Sequence, residues 1–466
     1  MNTADYYGDP AVRARILEFC GAGPDSPATA AYVAVFDPKA HPFPTWDEAD
    51  RVTADAIPWS VGHDLSCSLW DTTRLLFFIE IDHQNVDHPD EPFRHPADVL
   101  VALEPTYHAV RAALASVGLP ARAFVSGRGY HFLGALQLDD PVVDALARLV
   151  PGTPGWWAGW ESRRPAGVTA TLEERHARAA DGLGLLIEYL AHLSLREARR
   201  ASPTPVVFNG TTVGSGLNGR AAISIDFSHV GDPLDVRHVR TAFSTYQWHR
   251  LRPDIFGEAV RDLVAPMAIV PRAADGLVSL LAGGRTLEAA AAVAPTTTGA
   301  LPDVAAGVGR LLARYTRSPL ARFHERYLAA LAAPDEAGLE AGGPARLPAC
   351  AARPLEAPDD LLLQPAVIQH VTRVLYAQGW HAAAIARLIA RRYEADHEWG
   401  DRWTRLDAPT RAAFDVRVFA GMIETGLDTL VDFNCVSTQE KDLCPRIDCP
   451  LNLERERDRL RARWRA

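Results

Sequence analysis

Glu80 and Asp82 stand two residues apart in an apolar run, LLFFIEIDHQN. In an extended strand this spacing puts both carboxylates on one face and turns Ile81 to the other. Two acids on one side of a strand can hold a divalent cation, since Mg²⁺ or Mn²⁺ takes oxygen ligands and keeps positions for water and phosphate. The same spacing also describes two solvated acids on an exposed strand. In FVSGRGYHF, Ser126, Gly127, Arg128, Gly129 and His131 lie among strand-forming residues. Glycines there permit a tight turn and close approach of a ligand, and Ser, Arg and His supply donors for phosphate oxygens. A hairpin turn with an incidental histidine is the alternative. A third segment, AAISIDFSHV, carries Asp226 at a strand end and is followed by Asp235, Arg237, His238, Arg240, Ser244 and His249. A lone Asp after a strand is often a turn or cap residue.

The six cysteines are uneven in position, with Cys350, Cys435, Cys444 and Cys449 in the last quarter of the chain. The last three form C-x8-C-x4-C. With Cys350 brought in by the intervening helices they suit a four-thiolate site, either an iron–sulfur cluster or zinc. Paired C-x2-C knuckles, the usual zinc sign, are absent, which favours iron. Cys20 and Cys67 read as ordinary residues, and His83, His88 and His95 as loop residues.

These groups need a scaffold. The chain has 466 residues, 48% of them hydrophobic and 23% charged, with a formal net charge of −10. That is the composition of a globular protein with several cores and excludes disorder over most of its length. The charge argues against a chain that coats nucleic acid through its overall field, but leaves room for a local basic groove. No run reaches the ~20 apolar residues of a membrane span, and the first residues lack the regions of a signal peptide. A cytoplasmic location and no membrane partner are therefore expected.

Residues 1–264 read as an α/β unit. AYVAVF, LLFFIEI, RAFVSGRGYHFLGAL, TPVVFN and RAAISIDFS have strand composition, while DVLVALEPTYHAVRAALASVG and TLEERHARAADGLGLLIEYLAHLSLREARRA have helical spacing. Residues 265–346 are rich in Ala, Gly, Leu and Pro and read as a helical connector. Residues 347–466 read as a mainly helical domain that ends in the cysteines. The expected fold is thus an α/β catalytic unit with a mixed sheet, followed by a helical metal-binding domain.

Taken in order, the E-x-D strand, the S-G-R-G-Y-H segment and the I-D strand followed by D-V-R-H-V-R resemble the archaeo-eukaryotic primase superfamily, over about Tyr32 to Phe256. The first acid here is Glu where that family usually has Asp, and Ser244 is followed by TYQWH where many relatives have a compact S-x-H. The tail, with P-A-C at Cys350, N-C at Cys435, L-C-P at Cys444 and C-P at Cys449, resembles the iron–sulfur domain of the large primase subunit, over about Leu347 to Leu453. The first resemblance implies a primase-polymerase type of fold. It also implies that Glu80, Asp82 and Asp226 hold Mg²⁺ or Mn²⁺, and that Ser126, Arg128 and His131 bind the phosphates of an incoming NTP or dNTP, with Arg240 and His249 helping. The second implies a 4Fe-4S cluster on the four cysteines, with Zn²⁺ the alternative.

The activity implied is DNA primase or primase-polymerase chemistry on a single-stranded DNA template, in DNA replication or a related pathway, with any helicase or polymerase partner unidentified. A non-catalytic nucleic-acid or nucleotide-binding module is the second reading. A metal-dependent nuclease is the third, because paired carboxylates and two metals serve hydrolysis equally well. A nuclease has little need for a triphosphate cradle, and a binding module little need for three acids.

Overall fold

Valine, isoleucine and phenylalanine fit a pleated, half-buried surface, and the runs rich in them form the strands of a computed structural model. It describes residues 1–36, 50–159, 171–211, 220–231, 238–251, 253–263, 266–272, 286–333, 347–357, 362, 364–394, 408–445, 449 and 451–464. Asp235 and Arg237 lie outside the described residues, as do 273–285 and 334–346 of the connector.

The strands are β1 (Val33–Phe36), β2 (Asp50–Val52), β3 (Asp64–Cys67), β4 (Arg74–Asn85), β5 (Arg122–Val125), β6 (Gly129–Gln137), β7 (Val206–Phe208), β8 (Ala221–Asp226), β9 (Val239–Arg240), β10 (Thr245–Tyr246), β11 (Met267–Ala268) and β12 (Val270–Pro271). Six of them make a mixed sheet in the order β12-β5-β6-β4-β8-β7, antiparallel except for the β7/β8 pair. A second, antiparallel sheet has the order β2-β1-β3-β9. His83, expected in a loop, is a buried residue of β4, and its Nε2 lies 3.7 Å from Glu91.

The helices follow the apolar spacing. Helix α1 (Pro10–Phe19) starts on the Asp9 side chain, which accepts from the N–H groups of Ala11 and Val12, satisfying donors that have no partner inside a helix. Helices α2 (Pro96–Ser116), α3 (Pro141–Ala147) and α4 (Glu174–Ala201) belong to the α/β part. Pro96 and Pro141 sit in the first turn, where a missing N–H costs no hydrogen bond. After the last strand the described residues include α5 (Ala305–Tyr315), α6 (Pro319–Ala332), α7 (Ala349–Glu356), α8 (Pro365–Ala377), α9 (Ala382–Glu394), α10 (Ala408–Glu424), α11 (Cys435–Glu440) and α12 (Leu453–Arg463). Among the described residues no helix is long and apolar enough to cross a membrane.

Period-two alternation along β4 divides the interior. Phe77, Ile79 and Ile81 face a core that contains Leu103 and Val110 of α2 and Leu186 and Leu190 of α4. Phe78, on the other face, joins Val33, Val35 and Leu65 in a second core. Glu80 and Asp82 share the parity of Phe78, so they lie on the side of the second sheet. The first core continues through Val308 and Leu311 of α5 into Val371, Phe414 and Leu460 of the C-terminal helices. Phe227, which follows Asp226, meets Phe414 edge to face at 5.9 Å. Connector and C-terminal helices therefore share one core with the sheet.

Gly309 has open space around it in the middle of α5. Gly309→Ala should raise stability by about 0.5–1 kcal/mol through helix propensity alone, read from urea melts.

Candidate functional site

The β4 pairings assemble the site. Glu80 stands opposite Asp226 of β8 on one side and His131 of β6 on the other. Residues directly opposite in antiparallel strands project to the same face, so Asp226, Glu80 and His131 form a row across three strands. The next row is Ser224, Asp82 and Gly129. The three acids are nearly buried, at 5–6% exposure.

Each carboxylate has a defined neighbour. Arg128 Nη2 donates to Asp82 Oδ2 at 2.9 Å, and His131 Nε2 lies 3.3 Å from Glu80 Oε2. Asp226 Oδ1 accepts from the backbone N–H of Ser228 at 2.8 Å and its hydroxyl at 2.7 Å. Burial opposes the Arg128 charge, but Asp82, followed by Tyr246, Glu80 and Asp226, outweighs it and raises the guanidinium's pKa. Arg128 is a fixed cation among three acids. The Ser126 hydroxyl accepts from the N–H of Gly129 at 3.0 Å and of Arg128 at 3.4 Å, closing the turn that aims Arg128 at Asp82.

Gly129 has no room for a side chain. A Cβ there would lie 1.8 Å from the Ile81 carbonyl oxygen, in the backbone next to Asp82. Gly129→Ala should cost more than about 3 kcal/mol, because the clash is with backbone of a paired strand and cannot be relieved by a rotamer change. A urea midpoint unchanged from that of the original chain would contradict this packing.

Arg240 and His249 stand further back. The Arg240 guanidinium pairs with buried Asp64 and lies 4.5 Å from the centre of the Tyr246 ring. Asp64 also accepts from Thr245 Oγ1 at 2.8 Å and from the Gln247 N–H at 3.0 Å, so this pair locks β3, β9 and β10 together. His249 is fully buried, with its ring 4.7 Å from that of Phe93. Tyr246 is a member of the site that its own segment did not reveal. Its ring fills the space beside Gly127, where a Cβ would meet it at 2.1 Å, and it links the Arg128 and Arg240 surroundings.

The cysteines form a second locus. Cys350, in α7, is buried, Cys435 is exposed at the start of α11, and Cys444 and Cys449 are half-buried. Burial pushes the Cys350 thiol up to about 12, with Cys444 and then Cys435 and Cys449 adding to the shift. The other three thiols thus each bear on Cys350. His370 of α8, unforeseen from the spacing, places Nε2 3.1 Å from Cys350 Sγ. Nearby, buried Arg373 is bidentate to Asp428, and Lys441 pairs with Asp432. Cys20 and Cys67 are also neighbours: Cys20 and burial together push the buried Cys67 thiol's pKa up.

As for metals, three carboxylates on one face suit a hard divalent cation, and four thiols without a carboxylate suit zinc or an iron–sulfur cluster. Among the described residues, no three His, Cys, Asp or Glu side chains stand as a ready-made ion site. Comparison with protein-family models, curated proteins and solved structures finds no match to this chain.

Proposed function

We propose that the chain is a template-dependent nucleotidyltransferase of the primase-polymerase type, acting on a single-stranded DNA template with NTPs or dNTPs. The observation that carries this reading is the register that puts Glu80, Asp82 and Asp226 on one face beside Arg128 and His131. In this reading the three acids hold Mg²⁺ or Mn²⁺. Bound divalent ions would supply activation of a 3′-hydroxyl and stabilisation of the leaving pyrophosphate.

The chain's own groups do the rest. Arg128, reoriented from Asp82, binds triphosphate oxygens through charge-assisted hydrogen bonds. His131 donates to a neighbouring phosphate oxygen, and the Ser126 turn keeps both side chains on the acid-bearing face. Ser228 fixes one oxygen of Asp226 and with it the direction of the carboxylate. Arg240 and His249 act behind these groups by holding Tyr246 and Phe93. The test is incubation of the protein with single-stranded DNA, Mn²⁺ or Mg²⁺ and labelled NTPs or dNTPs, with products resolved on a gel. Elongated product is expected.

A non-catalytic nucleotide-binding module is the second reading, favoured by the pairing of Asp82 with Arg128 and of Glu80 with His131. It requires nucleotide binding with no product under any of these conditions.

For the tail we propose a 4Fe-4S cluster on Cys350, Cys435, Cys444 and Cys449, with the His370 ring beside Cys350 as a partner to a sulfur. Protein purified without oxygen should be brown and carry about four iron atoms per chain, and Cys350→Ser should lose most of that iron. Colourless protein with one tightly held zinc would contradict the cluster.

A further inference from the structure

Tyr246 stands between the two arginines of the site, and several groups fix its ring. The Arg240 guanidinium lies 4.5 Å from the ring centre, an attraction between a cation and an aromatic face, and Arg240 is itself held by buried Asp64. The ring of Phe93 is 6.3 Å away, and the backbone of Tyr246 pairs with Met267 of β11. Towards Arg128 the ring meets Gly127. A Cβ on Gly127 would lie 2.1 Å from Cε1, 2.4 Å from Cδ1 and 2.5 Å from Cζ of Tyr246, so the ring rests directly on the backbone between Ser126 and Arg128. That backbone belongs to the turn in which the Ser126 hydroxyl accepts from the N–H groups of Arg128 and Gly129.

Packing accounts for the ring but not for the hydroxyl. Buried tyrosines usually find a hydrogen-bond partner, and the Tyr246 hydroxyl has none among the described residues. Burial raises its pKa against the opposing charges of Arg128 and Arg240, so the group is neutral and within electrostatic reach of both guanidiniums. Tyr246 also follows Asp82 among the groups that favour the charged form of Arg128. Arg128 has a use for such a neighbour. It donates to Asp82 at 2.9 Å, and the phosphate role proposed for it requires it to turn away from that carboxylate. A guanidinium has five N–H donors and binds phosphate through two of them at a time, which leaves others to be satisfied. A neutral hydroxyl can accept one of these without competing with the phosphate for the charge.

We propose that Tyr246 is a positioning residue for Arg128: its ring sets the turn 126–129 that carries the arginine, and its hydroxyl accepts from the guanidinium once this has left Asp82 for a triphosphate. The inference rests on the phosphate role of Arg128 and adds what gives the arginine a defined second position. Tyr246 then governs triphosphate affinity through Arg128 alone.

The test is calorimetric titration of the full chain with ATP and dATP in Mg²⁺ and without DNA, which reads binding and not turnover. Arg128→Ala should weaken binding of the tighter nucleotide at least about tenfold. Tyr246→Phe keeps the ring and loses the hydroxyl; it should melt near the original chain and weaken binding about fivefold, the worth of one hydrogen bond. Tyr246→Leu, which also loses the ring, should weaken it at least about tenfold. In the Arg128→Ala background Tyr246→Phe should weaken binding less than about twofold, because a residue that acts through the arginine has nothing left to act on; a tyrosine with a merely structural role would give the same loss in both backgrounds. Where Arg128→Ala weakens binding, a Tyr246→Phe chain that binds as tightly as the original, or a loss that persists in full beside Arg128→Ala, would overturn this inference and leave the phosphate role of Arg128 standing. Full-strength binding by Arg128→Ala, or no saturable binding by the original chain up to about 5 mM, would overturn both.

Discussion

Asp226→Asn should lower nucleotide incorporation at least about a thousandfold, roughly 4 kcal/mol of transition-state stabilisation, while the protein stays folded. The two halves of this expectation have separate physical causes. Asparagine keeps a carbonyl oxygen where Asp226 Oδ1 accepts from the Ser228 N–H and hydroxyl, so the strand end and the turn after it retain their hydrogen bonds. What it loses is the negative charge opposite Glu80, and with it a ligand for a hard cation. Ser228→Ala removes only one of the two bonds that orient the carboxylate and should have a much smaller effect. Wild-type incorporation by Asp226→Asn would separate the acid row from the chemistry and place catalysis elsewhere in the chain.

The second large effect concerns Glu188, which is fully buried in α4. Its Oε1 lies 3.1 Å from His324 Nε2 of α6, and its Oε2 accepts from Arg417 Nε of α10. Burial lowers the His324 pKa while the Glu188 carboxylate opposes that shift, and His324 Nδ1 stands 2.9 Å from the Tyr315 hydroxyl of α5. One carboxylate thus ties the sheet-packed α4 to the connector and the C-terminal helices. Removing one partner of a buried ion pair strands the other, so Glu188→Ala should cost about 3–5 kcal/mol at neutral pH.

The pH dependence has a definite sign. Burial alone would raise the Glu188 pKa, but His324 and Arg417 outweigh it and hold it at about 2. A carboxyl with a folded-state pKa below its unfolded value near 4.5 contributes stability above that value and loses it as pH falls towards 2. The stability difference between the original chain and Glu188→Gln should therefore be full at pH 7 and shrink between about pH 4.5 and 2, as urea melts across that range would show. A difference that stays constant down to pH 2 would contradict this linkage.

Local pattern made part of the site legible in the sequence. Period two put Glu80 and Asp82 on one face of an apolar strand, and the glycines around Arg128 announced a tight turn. The helical spacing of DVLVALEPTYHAVRAALAS became α2. Pairing was not legible, because the partners of β4 lie far along the chain and nothing local states their register. The row Asp226–Glu80–His131 is therefore a property of the fold, as is the clash that requires Gly129.

Arg240 illustrates the same limit from the other side. Its partner Asp64 sits in a short strand with no motif of its own, so the buried pair could not be read beside the arginine segment. His370 did leave a trace, a polar residue on the apolar face of VIQHVTRVLY, but its neighbour Cys350 lies in another helix. Cys20 and Cys67 left none. Their contact comes from β3 packing beside the end of α1.

The most direct measurement is template-dictated incorporation. The protein is given a primed oligo-dT template, Mn²⁺ and each nucleoside triphosphate singly, and elongated product is measured together with released pyrophosphate. The expected result is extension with the adenine nucleotide alone, one pyrophosphate per residue added, and none with Asp226→Asn. Absence of product with every nucleotide, or product whose sequence ignores the template, would contradict a nucleotidyltransferase built on Glu80, Asp82 and Asp226.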